Sequence, residues 1–167
     1  MKFVLGVILV AGASLIAGQA SADGLYLTSD YHAADAANIA SVAISGNDNA
    51  LSLGQSFDHA GGANSLSIDI IGSLNGGPFD SAFRGMPAMA GLAPGQLLQS
   101  GHNNMMSIKL TGSQNLFAVS QVGSYNVVTS TVTGNYNQAA VSQTGSGNSL
   151  SFTQNGNGNR LTVVQRS

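Results

Sequence analysis

Apolar and polar residues alternate along the second half of the chain with a period of two, and the alternation restarts every eleven residues. Six such units follow Gly101 without insertion or deletion. Gly101, Gly112, Gly123, Gly134, Gly145 and Gly156 open them, and Asn104, Asn115, Asn126, Asn137, Asn148 and Asn159 follow three positions later. Two residues past each Asn stand Met106, Phe117, Val128, Ala139, Leu150 and Leu161. Four past it stand Ile108, Val119, Ser130, Val141, Phe152 and Val163, and six past it Leu110, Gln121, Val132, Gln143, Gln154 and Gln165. Small or polar residues such as Ser107, Ala118, Thr129 and Thr162 lie between. Strict alternation is the period of a strand with one buried face, whereas a helix needs apolar residues three and four apart. Each unit predicts one strand and a tight Gly-containing turn. A short fixed period predicts stacking, so the expected fold is all-β, a β-solenoid of strand-turn-strand coils.

An inward face that mixes Asn and Gln with aliphatic residues is unusual, because a buried amide destabilises unless it is hydrogen-bonded. Stacking removes the difficulty. If strands lie about 4.8 Å apart, one above another, each amide can bond its equivalent in the neighbouring coil. Gln99, Gln121, Gln143 and Gln165 are 22 residues apart, or two units, which predicts two strands per coil of a flat, two-sided solenoid. The stacking amides expected are Gln99, Asn104, Asn115, Gln121, Asn126, Asn137, Gln143, Asn148, Gln154, Asn159 and Gln165. The alternative, amides in solvent, would turn the Ser and Thr positions inward.

The arrangement resembles the repeats of the curlin family, the secreted subunits of curli amyloid fibres, which follow roughly S-x5-Q-x-G-x-G-N-x5-Q. Gln143-Thr-Gly145-Ser-Gly147-Asn148 and Gln154-Asn-Gly156-Asn-Gly158-Asn159 match its centre, and Gln154 and Gln165 match the closing Gln. Gln121-Val-Gly123-Ser-Tyr125-Asn126 and Gln99-Ser-Gly101-His-Asn103-Asn104 depart at the second Gly. The resemblance covers residues 99–167 well and the preceding part loosely. It implies a structural protein exported through the curli outer-membrane secretion channel of a Gram-negative bacterium. It further implies assembly with itself and other curli subunits into cell-surface fibres for adhesion and biofilm matrix.

The N-terminal half is less regular. Residues 1–22 read as a secretory signal peptide: Lys2, an apolar run from Phe3 to Ala17, and the small residues Ala20-Ser21-Ala22. The run is short and Gly-rich for a membrane anchor, and no later stretch approaches a spanning length. Residues 23–34 fall outside the repeat phase, and the resemblance suggests that they guide the chain to its channel. Residues 35–75 carry degenerate repeats, with Asn38, Asn49, Asn64 and Asn75 as the marker amides and a four-residue insertion, Phe57 to Ala60. Residues 76–98 hold all three prolines, Pro78, Pro87 and Pro94. Proline cannot donate to a ladder, so this segment predicts a loop insertion.

Composition narrows the function classes. The chain of 167 residues has no Cys, and only 7% of its residues are charged, so neither disulfides nor thiolate metal sites are available. His32, His59 and His102 are widely separated, and the acids are all Asp. No paired carboxylates, nucleophile constellation, P-loop or calcium nonapeptide is visible, so neither an enzyme, a metal site nor a cofactor is expected. The mature chain would set Arg84, Lys109, Arg160 and Arg166 against seven Asp, which argues against nucleic acid as a partner. Every Asp lies at or before Asp80 and every mature basic residue after it, giving the stack an acidic and a basic end.

A solenoid edge invites another strand unless it is capped. The final strand, from Arg160 to Gln165, repeats the rung before it, and no cap is evident in the sequence. The expected function is therefore that of a fibre subunit growing by edge stacking, with the irregular first half and the Arg160/Arg166 pair leaning towards a minor or nucleating subunit. The competing class is a monomeric solenoid whose flat face binds ice or polysaccharide. Thr129 and Thr131 supply one Thr-x-Thr pair for it, but Ser107/Lys109, Ala118/Ser120 and Ala140/Ser142 do not continue the rank.

Overall fold

The computed structural model describes residues 14–18, 25–30, 38–56, 61–77, 81–85 and 92–167. It is all-β: twelve strands form two six-stranded parallel sheets. In the first sheet lie β1 (Ser14–Gly18), β3 (Ile39–Ser45), β5 (Ser65–Ile71), β7 (Met105–Thr111), β9 (Val127–Thr133) and β11 (Ser149–Asn155). In the second lie β2 (Leu25–Asp30), β4 (Leu51–Ser56), β6 (Gln96–His102), β8 (Leu116–Ser124), β10 (Gln138–Ser146) and β12 (Arg160–Arg166). Odd strands stay in one sheet and even strands in the other, so each pair of successive strands makes one coil of a β-solenoid.

Register follows the repeat. Met105 pairs Val127 and Val127 pairs Ser149, 22 residues apart, and Leu116, Gln138 and Arg160 keep the same step in the other sheet. Lower down, Ile39 pairs Ser65 at a step of 26, which accommodates the four-residue insertion. Ser65 pairs Met105 at a step of 40, so the Pro-containing insertion adds 18 residues to one coil and leaves the ladder aligned.

The alternation fixes what is buried. Leu66, Ile68 and Ile70 of β5 point between the sheets, as do Met106, Ile108 and Leu110 of β7 and Val128 and Val132 of β9. Leu53, Leu97, Val119 and Val141 face them from the second sheet. Burying side chains of this size contributes about 1.5–3 kcal/mol each, and the identical spacing of successive coils lets like residues superpose.

Three boundaries differ from those expected. Leu25–Asp30 is a strand paired with β4, with Leu25 opposite Leu51, although it lies outside the eleven-residue phase. The step of 26 at this point, rather than 22, hides it from a fixed-period reading. Ser14–Gly18, within the expected signal peptide, pairs with β3. The insertion ends at Gly95, because β6 begins at Gln96 and Leu97 is already buried. The expected cleavage site, His32, the 57–60 insertion with Asp58 and His59, and Pro78 and Pro87 lie outside the described residues. No helix among the described residues is long and apolar enough to cross a membrane.

Candidate functional site

Except at Ala63, before Asn64, the described corners of the coils are built by the same local device. The residue before the marker Asn is left-handed: Leu74, Asn103, Gln114, Tyr125 and Tyr136 have φ of 55–60°, and Gly147 and Gly158 take the same place with φ of 71° and 70°. This places the second Gly of the repeat at a position where a side chain is strained. The opening glycines meet a different limit. At Gly123 φ is 115°, and a Cβ there would collide with the carbonyl oxygen of Gly145 in the next coil. Gly101, Gly112, Gly134, Gly145 and Gly156 are likewise at positive φ and stack with the same backbone repeat.

These turns aim the Asn side chains inward and along the stack. One column runs Asn38, Asn64, Asn104, Asn126, Asn148, and a second runs Asn49, Asn75, Asn115, Asn137, Asn159. In each, the backbone N–H of one Asn donates to Oδ1 of the Asn in the preceding coil, and Nδ2 donates to the same atom except at Asn64, whose Nδ2 donates to the carbonyls of Ser56 and Gly101. For Asn126 these bonds to Asn104 are 3.1 and 3.0 Å. The same Nδ2 donates forward to the carbonyl of Gly145 at 2.9 Å. Asn104, Asn115 and Asn137 make the equivalent bonds to Gly123, Gly134 and Gly156. The marker Asn of one coil and the opening Gly of the next coil in the same column are thus one hydrogen-bonded motif.

The glutamine column runs through the second sheet. Gln55 donates to Gln99, Gln99 to Gln121, Gln121 to Gln143 and Gln143 to Gln165, at 2.8, 2.9, 3.0 and 2.7 Å. Each Nε2 also donates to a backbone carbonyl of the facing strand, for example Gln121 to Met105 at 3.0 Å. Gln55, an inward position of the degenerate repeats that the expected set of stacking amides did not include, joins the column through the register of β4 on β6.

Gln154 departs from the expectation of an amide stack. It belongs to the first sheet, in the column Ile44, Ile70, Leu110, Val132, Gln154. Its Nε2 donates to the carbonyl of Gln138 at 3.3 Å, but its buried Oε1 has no hydrogen-bond partner. The eleven-residue comparison grouped it with Gln143 and Gln165. A comparison at 22 residues, one sheet at a time, separates them.

At the C-terminal end of the described stack, β11 and β12 are the outermost strands of their sheets. Among the described residues, β11 pairs only with β9 and β12 only with β10. Leu150, Phe152, Leu161 and Val163 pack on the core from one side and are only partly buried. Ser167 finishes the coil: its Oγ accepts from Ser146 N–H and donates to Ser146 C=O, at 2.9 and 2.8 Å.

The described part of the insertion lies along a corner of the stack. Arg84 N–H donates to Gln138 Oε1 at 2.8 Å, and Gly85 abuts the guanidinium of Arg160 in the last coil. Leu74, Ala82, Gln114, Leu116 and Tyr136 line a cleft of about 330 Å³ beside it. On the outer face of the first sheet, Thr129 and Thr131 are flanked in register by Ser107 and Lys109 on one side and Ser151 and Thr153 on the other. Ala118/Ser120 and Ala140/Ser142 belong to the other sheet.

Other chemistry is sparse among the described residues. His102 meets Tyr125 edge-on, with ring centroids 5.7 Å apart. No group of three or more His, Cys, Asp or Glu is placed to hold a metal ion. Asp48 and Asp69 lie in lower coils, Arg160 and Arg166 in the last. Compared with family models, with curated proteins and with solved structures, the chain matches none.

Proposed function

We propose that this chain is a secreted structural subunit of extracellular curli-type amyloid fibres, extended by stacking a further coil on its open edge, and that its place is that of a minor or nucleating subunit. The observation that carries the reading is the end of the stack. Two Asn columns, one Gln column and the aliphatic columns all reach β11 and β12 with no further strand upon them among the described residues. Unpaired edges with repeated side chains and low charge are the conditions for cross-β growth. The repeat resemblance supplies the setting: export through the curli channel, adhesion and biofilm matrix.

The test is a time course of amyloid-dye binding with sedimentation, on residues 23–167 alone and at trace ratio with a curlin-type chain. Lag, elongation and pelletable fibres support the reading. A stable soluble monomer that also leaves the second chain's lag unchanged would refute it.

The second reading, a monomeric solenoid that binds ice or polysaccharide, draws on the outer face of the first sheet. There, Ser67, Ser107, Thr129 and Ser151 form one register column of hydroxyls. Soluble monomer with ice-shaping or glycan-retention activity lost in Thr129→Leu/Thr131→Leu would favour it.

A further inference from the structure

We propose that the C-terminal edge selects an incoming coil carrying a glutamine on both of its strands, and that Gln154 makes it reject a second copy of this chain. The proposal rests on the edge-stacking reading above and names the partner of that edge.

In the four coils from β3 to β10, one strand carries an aliphatic residue where the other carries Gln: Ile44 with Gln55, Ile70 with Gln99, Leu110 with Gln121, Val132 with Gln143. The last coil alone has two glutamines, Gln154 and Gln165. Gln154 is only 8% exposed. Beneath it stands Val132, which has nothing to donate, and this is why its Oε1 is without a partner. Rotating the amide half a turn would only exchange the atoms, setting Nε2 against Val132.

An amide stranded on an aliphatic column can gain an amide neighbour only from above. In the glutamine column the Nε2 of Gln55, Gln121 and Gln143 has two acceptors, a carbonyl sixteen residues earlier and Oε1 of the next Gln. Gln154 makes the first of these bonds, to Gln138, which is also sixteen residues earlier. A coil bearing Gln at the equivalent place supplies the second. A copy of this chain does not. With residues 1–22 removed, the lowest strand of the first sheet is β3, and it brings Ile44 over Gln154. The alternative seating has its own mismatch: without β1 the first sheet has five strands while the second keeps six, so a copy that seats β2 on β12 instead leaves a gap above Gln154.

The experiment uses residues 23–167 at trace ratio and two synthetic probe chains. One is four tandem copies of residues 145–166, whose every coil has two glutamines. The other carries Ile in place of the Gln154 equivalent in each copy. Unpaired burial of one amide sets the scale at about tenfold. Wild type should shorten the lag of the two-glutamine probe about tenfold more than that of the Ile probe, and Gln154→Ile should reverse the preference. Equal shortening of both probes by both proteins would overturn the selection while leaving edge stacking intact. Shortening of neither probe, when preformed probe fibres still seed their own kind, would overturn both. Circular dichroism of Gln154→Ile checks that the sheet is retained.

Discussion

Gln99 donates through Nε2 to Oε1 of Gln121 at 2.9 Å, across 22 residues of sequence and one coil of the solenoid. Neither side chain has water to fall back on, since Gln99 is 2% exposed and Gln121 is fully buried. The column is thus a chain of mutual dependence, in which removing an inner member leaves a donor hydrogen of one neighbour and the acceptor oxygen of the other without their amide partner.

Gln121→Leu tests this. It strips the acceptor from Gln99 and the donor from Gln143. Each unsatisfied group costs about 1–3 kcal/mol, so the variant should lose about 2–5 kcal/mol in denaturant unfolding, although leucine is the more apolar residue. Unchanged stability would mean that the column contributes nothing.

Gly123→Ala should be more damaging than its single methyl suggests. The new Cβ meets the Gly145 carbonyl, the same carbonyl that accepts from Asn126 Nδ2. Lost strain-free backbone and a disrupted asparagine column together predict a loss of at least about 2 kcal/mol. Proteolysis should then open the neighbouring coils first.

Gln114→Gly should go the other way. Gln114 holds φ of 60° at the place where Gly147 and Gly158 serve in other coils. Relief of the left-handed strain should raise the unfolding free energy by about 1 kcal/mol. A destabilised variant would show instead that its side-chain contacts at the corner outweigh the backbone term.

Gln154→Ile should stabilise the isolated chain. The substitution removes the unpaired Oε1 and continues the column of Ile44, Ile70, Leu110 and Val132. A gain of about 1–3 kcal/mol is expected from the amide alone, read as a shift of the denaturant midpoint. No gain would show that Gln154 is already satisfied in solution.

Hydrogen exchange should be graded along the axis. Met105–Thr111 and Val127–Thr133 have a strand on each side, whereas Ser149–Asn155 and Arg160–Arg166 have one. Protection should be greatest in β7 and β9 and fall towards β11 and β12. Uniform exchange would contradict an open end.

Much of this was legible in the residue pattern because the repeat is local: Gly, turn, Asn and alternating strand all fall within eleven residues. The two-strand coil and the column from Gln99 to Gln165 follow from spacing alone. What the pattern hid has three physical origins. Insertions shift phase without shifting register, so Leu25–Asp30 and Gln55 stack at steps of 26 and 44 residues. Successive units belong to opposite sheets, so comparing neighbours in sequence mixed Gln154 with Gln143 and set Ala118 and Ala140 of the other sheet beside Thr129 together with its true neighbour Ser107. The approach of Arg84 to Gln138 spans 54 residues and depends on the path of an irregular loop, which no periodicity encodes.

The amide columns also give the solenoid a direction. Asparagine Oδ1 atoms look towards the C-terminal end, and so do glutamine Nε2 groups, each awaiting its complement. A molecule turned end over end would meet oxygen with oxygen and N–H with N–H. Filaments assembled from such units would all point one way, with tips that are chemically unlike and that lengthen at different rates.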